Sequence, residues 1–181
     1  MFAGRITPTG RRVIAGFGTW KGKPRVRCVA IVLACTVVLA CGGPDRKKFE
    51  GTRRAGVAIS TAVGKGVSAP RYRELVLQLE AQLAILKGRA VGPQETEIVE
   101  KYDDATRAYR AALAVWTLKV EGQSDRVFAG GTLDRLLAPY DIPFAEGASG
   151  IRQTSADVAM RHIWAIAGAK LETANNALNS K

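Results

Sequence analysis

Cysteine is scarce in this sequence and is confined to its beginning. The 181 residues contain three cysteines, at positions 28, 35 and 41. Because no thiol follows Cys41, the rest of the chain can form neither a disulfide nor a metal-binding cysteine set. That remainder has the length of one ordinary domain, and we expect its hydrophobic core alone to stabilise it.

Histidine is scarcer still, with His162 as the single example. A serine–histidine–aspartate mechanism would depend on it, but no G-x-S-x-G motif is present, and the neighbours Met160, Ile163 and Trp164 are typical of a helix core. Met160 and His162 lie two positions apart, so they point to different sides of a helix and could not both ligate one haem iron. We therefore predict a histidine at the margin of the core, no haem and no catalytic residue.

Carboxylates are concentrated in one stretch, but the pattern lacks the partners of a metal site. The acidic residues of this stretch are Glu95, Glu97, Glu100, Asp103 and Asp104. Di-metal sites in helical bundles also need two Glu-x-x-His motifs, and the single histidine has no glutamate three residues before it. We interpret the stretch as a solvated first helical turn that compensates the helix dipole, with Glu97 paired to Lys101. The sequence predicts no metal and no cofactor.

Acidic residues are absent from the first forty positions. Residues 1–27 hold seven basic side chains, and the thirteen residues from Cys28 to Ala40 carry no charge. Thirteen helical residues span roughly 20 Å, short of the ~30 Å hydrocarbon core of a bilayer. A basic start and a short apolar run are typical of an export signal rather than of a membrane-spanning helix.

The apolar run ends in Val38-Leu39-Ala40-Cys41, which resembles the lipobox of bacterial lipoproteins. The resemblance implies cleavage before Cys41 and acylation of that cysteine. Leu39 stands where a smaller residue is usual. A second match at Val32-Leu33-Ala34-Cys35 is less favourable, because cleavage there would leave six apolar residues on the product.

The lipobox divides the chain into a signal peptide at 1–40, a lipidated tether at 41–45 and a domain at 46–181. It implies a lipid-anchored, extracytoplasmic protein on the bacterial cell membrane or the outer membrane. A plain secretory signal and an uncleaved anchor are the alternatives. The resemblance says nothing about the domain itself.

Removal of residues 1–40 changes what the charge implies. The net charge falls from +11 to +4, because the segment holds seven basic and no acidic residues. A +4 domain with interspersed charges does not predict a nucleic-acid partner. The triplet Arg46-Lys47-Lys48 lies close enough to Cys41 to meet anionic head groups, although a solvated tether is the plainer interpretation.

Apolar residues beyond position 45 recur at helical spacing. Helices are predicted at 46–64, from Ser68 to about 92, at 93–122 and at 151–179. The tight Gly92-Pro93 connection makes the second and third helices antiparallel neighbours. The sequence therefore predicts an all-α fold, an antiparallel bundle of about four helices.

Two stretches interrupt this regularity. Gly56, Ser60 and Gly64 recur every four residues in the first helix, a stripe that would let another helix approach closely. The segment 123–150 is rich in glycine and proline but also in apolar residues, so we expect it to fold back over one end of the bundle. A short helix is predicted within it at 132–137, with Thr132 as its cap.

The aromatic residues Tyr102, Tyr109, Trp116 and Trp164 are predicted to lie in the core. On that interpretation, Trp116→Ala should cost ~3–5 kcal/mol of stability, measured by thermal melting. The chain as a whole is predicted to be a non-enzymatic envelope lipoprotein with a helical binding or scaffold domain and an envelope protein as partner. The alternative is a lipid or small-molecule binding protein whose inter-helical pocket is covered by segment 123–150.

Overall fold

The structure is a computed structural model that describes residues 43–90, 92–147 and 149–180. Of these residues, 72% are helical, and a small three-stranded sheet accompanies the helices. The prediction of a mostly helical protein is confirmed. The predicted signal peptide, the lipobox and Cys41 lie outside the described residues.

Four long helices account for most of the fold. They are α1 (Arg46–Lys65), α2 (Ala69–Lys87), α3 (Pro93–Val120) and α5 (Ala156–Asn179). The connection between α3 and α5 contains β1 (Arg126–Phe128), α4 (Asp134–Leu137), the 3-10 turn η1 (Ala138–Tyr140), β2 (Ala145–Glu146) and β3 (Arg152–Ser155). No helix in the described ranges combines the length and the apolar character needed to cross a membrane.

Local signals explain where the long helices begin. The Asp45 carboxylate accepts from the Lys47 N–H and caps α1, and the Ser155 hydroxyl accepts from the Val158 N–H and caps α5. Proline occupies the first turn of both α2 and α3, where its missing N–H has no cost. Ser68 does hold the cap position of α2, but its side chain makes no capping hydrogen bond.

Contacts between side chains give the relative directions of the helices. Along α2 and α3, Tyr72 packs on Trp116 and Lys87 pairs with Asp103, so the positions advance in opposite directions. Contacts between α3 and α5 run in the same antiparallel sense, from Lys119 with Asp157 to Tyr102 with Asn175. The predicted antiparallel packing of the second and third helices is confirmed.

Helix α1 completes the packing against α5. Arg46 donates to the backbone oxygen of Asn179, while Gly56 lies against Leu171, so these two helices are also antiparallel. A Cβ atom on Gly56 would lie 2.6 Å from Leu171 Cδ1. The predicted close approach is therefore confirmed at Gly56, whereas the space beside Gly64 is open.

Alanine sets the distance between α3 and α5, whose contact is the most extensive between any two of the elements described. The alanines of these two helices that are fully buried are Ala105, Ala108, Ala111, Ala112, Ala156, Ala159, Ala167 and Ala174. Small side chains allow helix axes to approach closely, and the larger buried residues fill the remaining space. The tyrosines Tyr72, Tyr102 and Tyr109 are among the largest of these.

The sheet lies in the stretch where the sequence predicted only loop and the start of a helix. Its order is β1-β3-β2, with both pairings antiparallel. Arg152–Ser155 was expected to begin the fourth long helix, but these residues pair as β3, and the Ser155 cap moves the start of that helix to Ala156. The fold is mostly helical, as predicted, but this small sheet means that it is not purely all-α.

The connection also departs from prediction in its short helix and its location. The short helix begins at Asp134, and Thr132 does not cap it. Val127, Leu137, Tyr140 and Ile142 are buried in the same core as the long helices. Residues 135–140 lie beside the middle of α3 and α5, not only over one end as predicted.

Candidate functional site

His162 has a structural partner. It is half-buried on α5, and its Nε2 atom lies 2.9 Å from the backbone oxygen of Tyr140. This contact ties η1 to α5, as expected of a histidine at the margin of the core. The absence of catalysis at this residue stays a prediction.

The acidic stretch divides into residues in two different surroundings. Glu97 pairs with Lys101 at 3.1 Å and is exposed, as predicted. Glu95, by contrast, is only 7% exposed, and its two carboxylate oxygens lie 3.0 and 3.1 Å from Lys48 Nζ. The interpretation of Glu95 as solvated is therefore wrong, because α1 covers it. Within the described ranges, no three His, Cys, Asp or Glu residues are grouped so that they could hold a metal ion.

The contact with Glu95 changes the interpretation of the basic triplet. Lys48 is engaged by Glu95, and Arg46 donates to the backbone oxygen of Asn179. Among the described residues, the side chain of Lys47 is the one member of the triplet with no such contact. Lys48 is therefore compensated by Glu95, whereas Arg46 and Lys47 keep their positive charges exposed at the beginning of α1.

Three aromatic side chains from three helices meet near the other end of the fold. Tyr72 of α2, Trp116 of α3 and Trp164 of α5 have ring centroids 5.4, 5.5 and 5.6 Å apart. Two of the three pairs have edge-to-face geometry, which is favoured by the ring quadrupoles. This aromatic trio links the helices to one another.

Tyr72 is the buried member of the trio. Its hydroxyl donates to the backbone oxygen of Tyr109 at 2.8 Å. Burial raises the pKa of Tyr72, and the nearby indole N–H of Trp164 opposes that rise. That indole nitrogen is buried and does not reach the geometry of a hydrogen bond with any partner among the described residues, so its contact with the Tyr72 oxygen is a weak one.

Trp116 also lines a surface cleft, which we call the distal cleft. The cleft has a volume of about 320 Å³ and lies between the start of α2 and the end of α3. Its walls are formed by Ala69, Pro70, Arg73, Glu74, Leu113, Trp116, Thr117, Val120 and Glu121. Val120 is 63% exposed, so its apolar side chain is accessible from solvent. The cleft offers apolar contacts at its floor and charged side chains at its rim.

The distal cleft lies at the opposite end of α3 from the start of the described chain. Asp45 and Lys48 of the α1 start contact Glu95, in the first turn of α3, whereas Val120 is the last residue of that helix. Twenty-five residues of helix separate Glu95 from Val120, roughly 38 Å. The two ends of the fold are therefore chemically different.

The sequence predicted Trp116 as core, and the structure places it half-buried at the edge of the core. One pattern could have indicated the cleft. Leu113, Trp116 and Val120 continue the apolar stripe of α3 beyond the residues that α2 covers. Ala69, at which α2 begins, marks the end of that coverage. Comparison of the chain with protein-family models, curated proteins and solved structures gives no match.

Proposed function

We propose that this protein is a bacterial envelope lipoprotein, anchored through acylated Cys41, whose four long helices form one antiparallel bundle that serves as a binding module. The antiparallel contacts of α1 with α5, of α2 with α3 and of α3 with α5 support the bundle. The location of the distal cleft, at the end of the bundle away from the anchor, carries the functional part of the proposal.

The anchor geometry determines what the distal cleft can reach. The tether 41–45 has five residues, which span at most about 17 Å when fully extended. Because α1 begins immediately after it, the α1 start faces the bilayer, and the cleft lies about 40 Å farther out along the helices. The cleft is thus presented to the envelope space, away from the membrane that holds the anchor.

The shape and chemistry of the cleft favour a protein partner. At about 320 Å³ the cleft has the volume of a small ligand site, but it is open to solvent and its rim carries Arg73, Glu74 and Glu121. An apolar anchor side chain surrounded by polar contacts is the usual centre of a protein interface. We therefore assign the cleft to an apolar side chain of an envelope protein.

Site-specific photo-crosslinking in living cells tests the assignment. A photo-reactive amino acid at Val120 is expected to give one dominant crosslinked protein product. The matched control is the same amino acid at Leu77, an exposed apolar residue on α2 that lies outside the cleft and is 56% exposed. A second variant, Arg73→Glu, should weaken the Val120 product without affecting the fold.

Two outcomes would overturn the assignment. Equal amounts of crosslinked product from Val120 and Leu77 would show unspecific contact. The absence of any protein product from Val120 would contradict a protein partner at the cleft. A crosslink from Val120 to a lipid or another small molecule would instead support the alternative function, a carrier of lipids or small molecules.

The anchor is tested independently by mass spectrometry of the protein from its own membranes. We expect an N-terminus at Cys41 that carries acyl chains. An unmodified Cys41 still joined to Ala40 would contradict the lipoprotein proposal, whatever the crosslinking shows. A non-enzymatic role is part of the proposal and is supported by the engagement of His162 with Tyr140 and of Glu95 with Lys48.

A further inference from the structure

A second depression, which we call the basic groove, lies on a different side of the fold. It has a volume of about 500 Å³ and lies between the middle of α3, the α4–η1 turn and α5. Its lining consists of Asp104, Arg107, Arg110, Arg135, Leu136, Pro139, Tyr140 and Lys170. Four cationic side chains from three separate elements thus converge on a space that contains one carboxylate.

The carboxylates near the groove leave part of this positive charge uncompensated. Arg107 is held by Asp103 and Asp104, and Lys170 is 3.6 Å from Asp104. Arg110 contacts Glu80 through Nε at 3.0 Å, but a guanidinium has five N–H donors, so it retains others. Arg135 makes no ion pair within the described part of the chain.

The remaining lining suits a ligand that is not purely ionic. Leu136, Pro139 and the ring of Tyr140 form an apolar wall beside the cations. The Tyr140 backbone oxygen is held by His162, which fixes that wall to α5. Guanidinium groups bind carboxylates and phosphates through paired hydrogen bonds, so the groove combines anion donors with an apolar wall.

We propose that the basic groove binds a small soluble anion, bearing phosphate or carboxylate groups, through Arg110, Arg135 and Lys170. Arg107 also lines the groove, but it is already held by two aspartates. The groove lies near Arg107, fourteen residues into α3 and roughly 21 Å from the α1 start, which separates it from the head groups of an anchoring bilayer. This proposal does not depend on the partner assigned to the distal cleft.

Calorimetric titration of the full chain in zwitterionic nanodiscs with inorganic pyrophosphate tests the groove. The double variant Arg135→Ala/Lys170→Ala is expected to raise the Kd at least about tenfold, because each cation contributes a charge-assisted hydrogen bond. The matched control is Arg161→Ala, which removes an exposed cation from the same helix outside the groove and should change the Kd less than about twofold.

The source of the anion is tested in a second titration, with short-chain phosphatidylglycerol. Binding of pyrophosphate more tightly than the lipid would support a soluble ligand. The reverse order would assign the groove to a lipid head group and overturn the proposal. No heat from pyrophosphate, or an equal loss in the Arg161→Ala control, would show that the groove is not an anion site.

Discussion

At the scale of single residues, Glu95 shows how a neighbouring helix changes the role of a side chain. In the sequence it is one carboxylate among five at the beginning of a helix, where any acidic residue is favoured by the dipole. In the structure it is buried and joins α1 to α3 through Lys48. No pattern within α3 distinguishes it from Glu97, because the distinguishing contact comes from a residue 47 positions away.

Glu95→Gln is expected to lower the free energy of unfolding by about 1–3 kcal/mol. The amide keeps the shape of the side chain but cannot compensate the Lys48 ammonium that it contacts. The measurement is chemical denaturation at neutral pH. The control is Glu97→Gln, which removes an exposed pair and should change stability by less than about 0.5 kcal/mol. Equal midpoints for the two variants would contradict the structural role of Glu95.

Gly56 and Gly64 provide a matched pair in one helix. Gly56→Val is expected to destabilise the protein by about 1–3 kcal/mol, because its side chain would overlap Leu171 in the core. Gly64→Ala should instead stabilise it by about 0.5 kcal/mol, since space is open there and alanine has the higher helix propensity. Thermal melting of both variants tests the close approach of α1 and α5. A lower melting temperature for Gly64→Ala than for Gly56→Val would be inconsistent with it.

Trp116 is a single residue whose contribution to stability can be measured. Its ring contacts Tyr72 and Trp164, so the earlier prediction for Trp116→Ala stays in force. Because one side of the ring faces the distal cleft, the loss is expected at the lower end, about 3 kcal/mol. A thermal midpoint equal to that of the unmodified protein would show that the trio does not stabilise the fold.

At the scale of elements, the connection between α3 and α5 is the part that the sequence described least well. Its strands have three, two and four residues, too short to show a periodicity of two. Val127 is the only buried residue of β1, and β2 has none. The apolar content of the segment did predict that it would pack on the helices, but the location of that packing depends on contacts such as His162 with Tyr140.

Ile142 and Ile151 test how firmly the connection is held. Ile142 is buried and Ile151 is 51% exposed, although both lie in the same connection. Ile142→Ala should cost about 2–3 kcal/mol, whereas Ile151→Ala should cost less than about 0.5 kcal/mol. In the Ile142→Ala variant, the amides of residues 126–155 should exchange hydrogen faster, whereas the exchange rates in α1 and α2 should not change. Uniform acceleration across the chain would mean that the connection and the helices open together.

At the scale of the whole molecule, helical periodicity predicted the long helices well, because the pattern depends on residues three and four positions apart in one helix. The first and third helices were located to within about two residues. The end of the second helix was predicted less well: it ends at Lys87, with Gly88 at its C-cap, before the predicted position near residue 92. The lining residues of the distal cleft and of the basic groove were not predicted, because each is formed by residues from at least two elements.

Buried tyrosines are expected to make the fold sensitive to alkaline pH. Burial raises the pKa of Tyr102 to about 12, and the pKa values of Tyr72 and Tyr109 are raised for the same reason. The unfolded chain releases these protons near pH 10, before the folded one does, so their contribution to stability is complete below pH 10 and is lost as the pH rises to about 12.

The measurement is the melting temperature as a function of pH, together with the absorbance of tyrosinate. Tyr102→Phe should give a shallower decline between pH 10 and 12, because one of the raised groups is gone. A melting temperature that stays constant up to pH 12 would show that the tyrosines ionise without unfolding the core.

The contact of Arg46 with Asn179 has a practical consequence for engineering. Since the beginning of α1 and the end of α5 lie side by side, both connections to this module leave from one place. A host protein could therefore carry the whole module as an insertion in a single surface loop, with short linkers on both sides. Such an insertion would carry the distal cleft and the basic groove into a new protein without the acyl anchor.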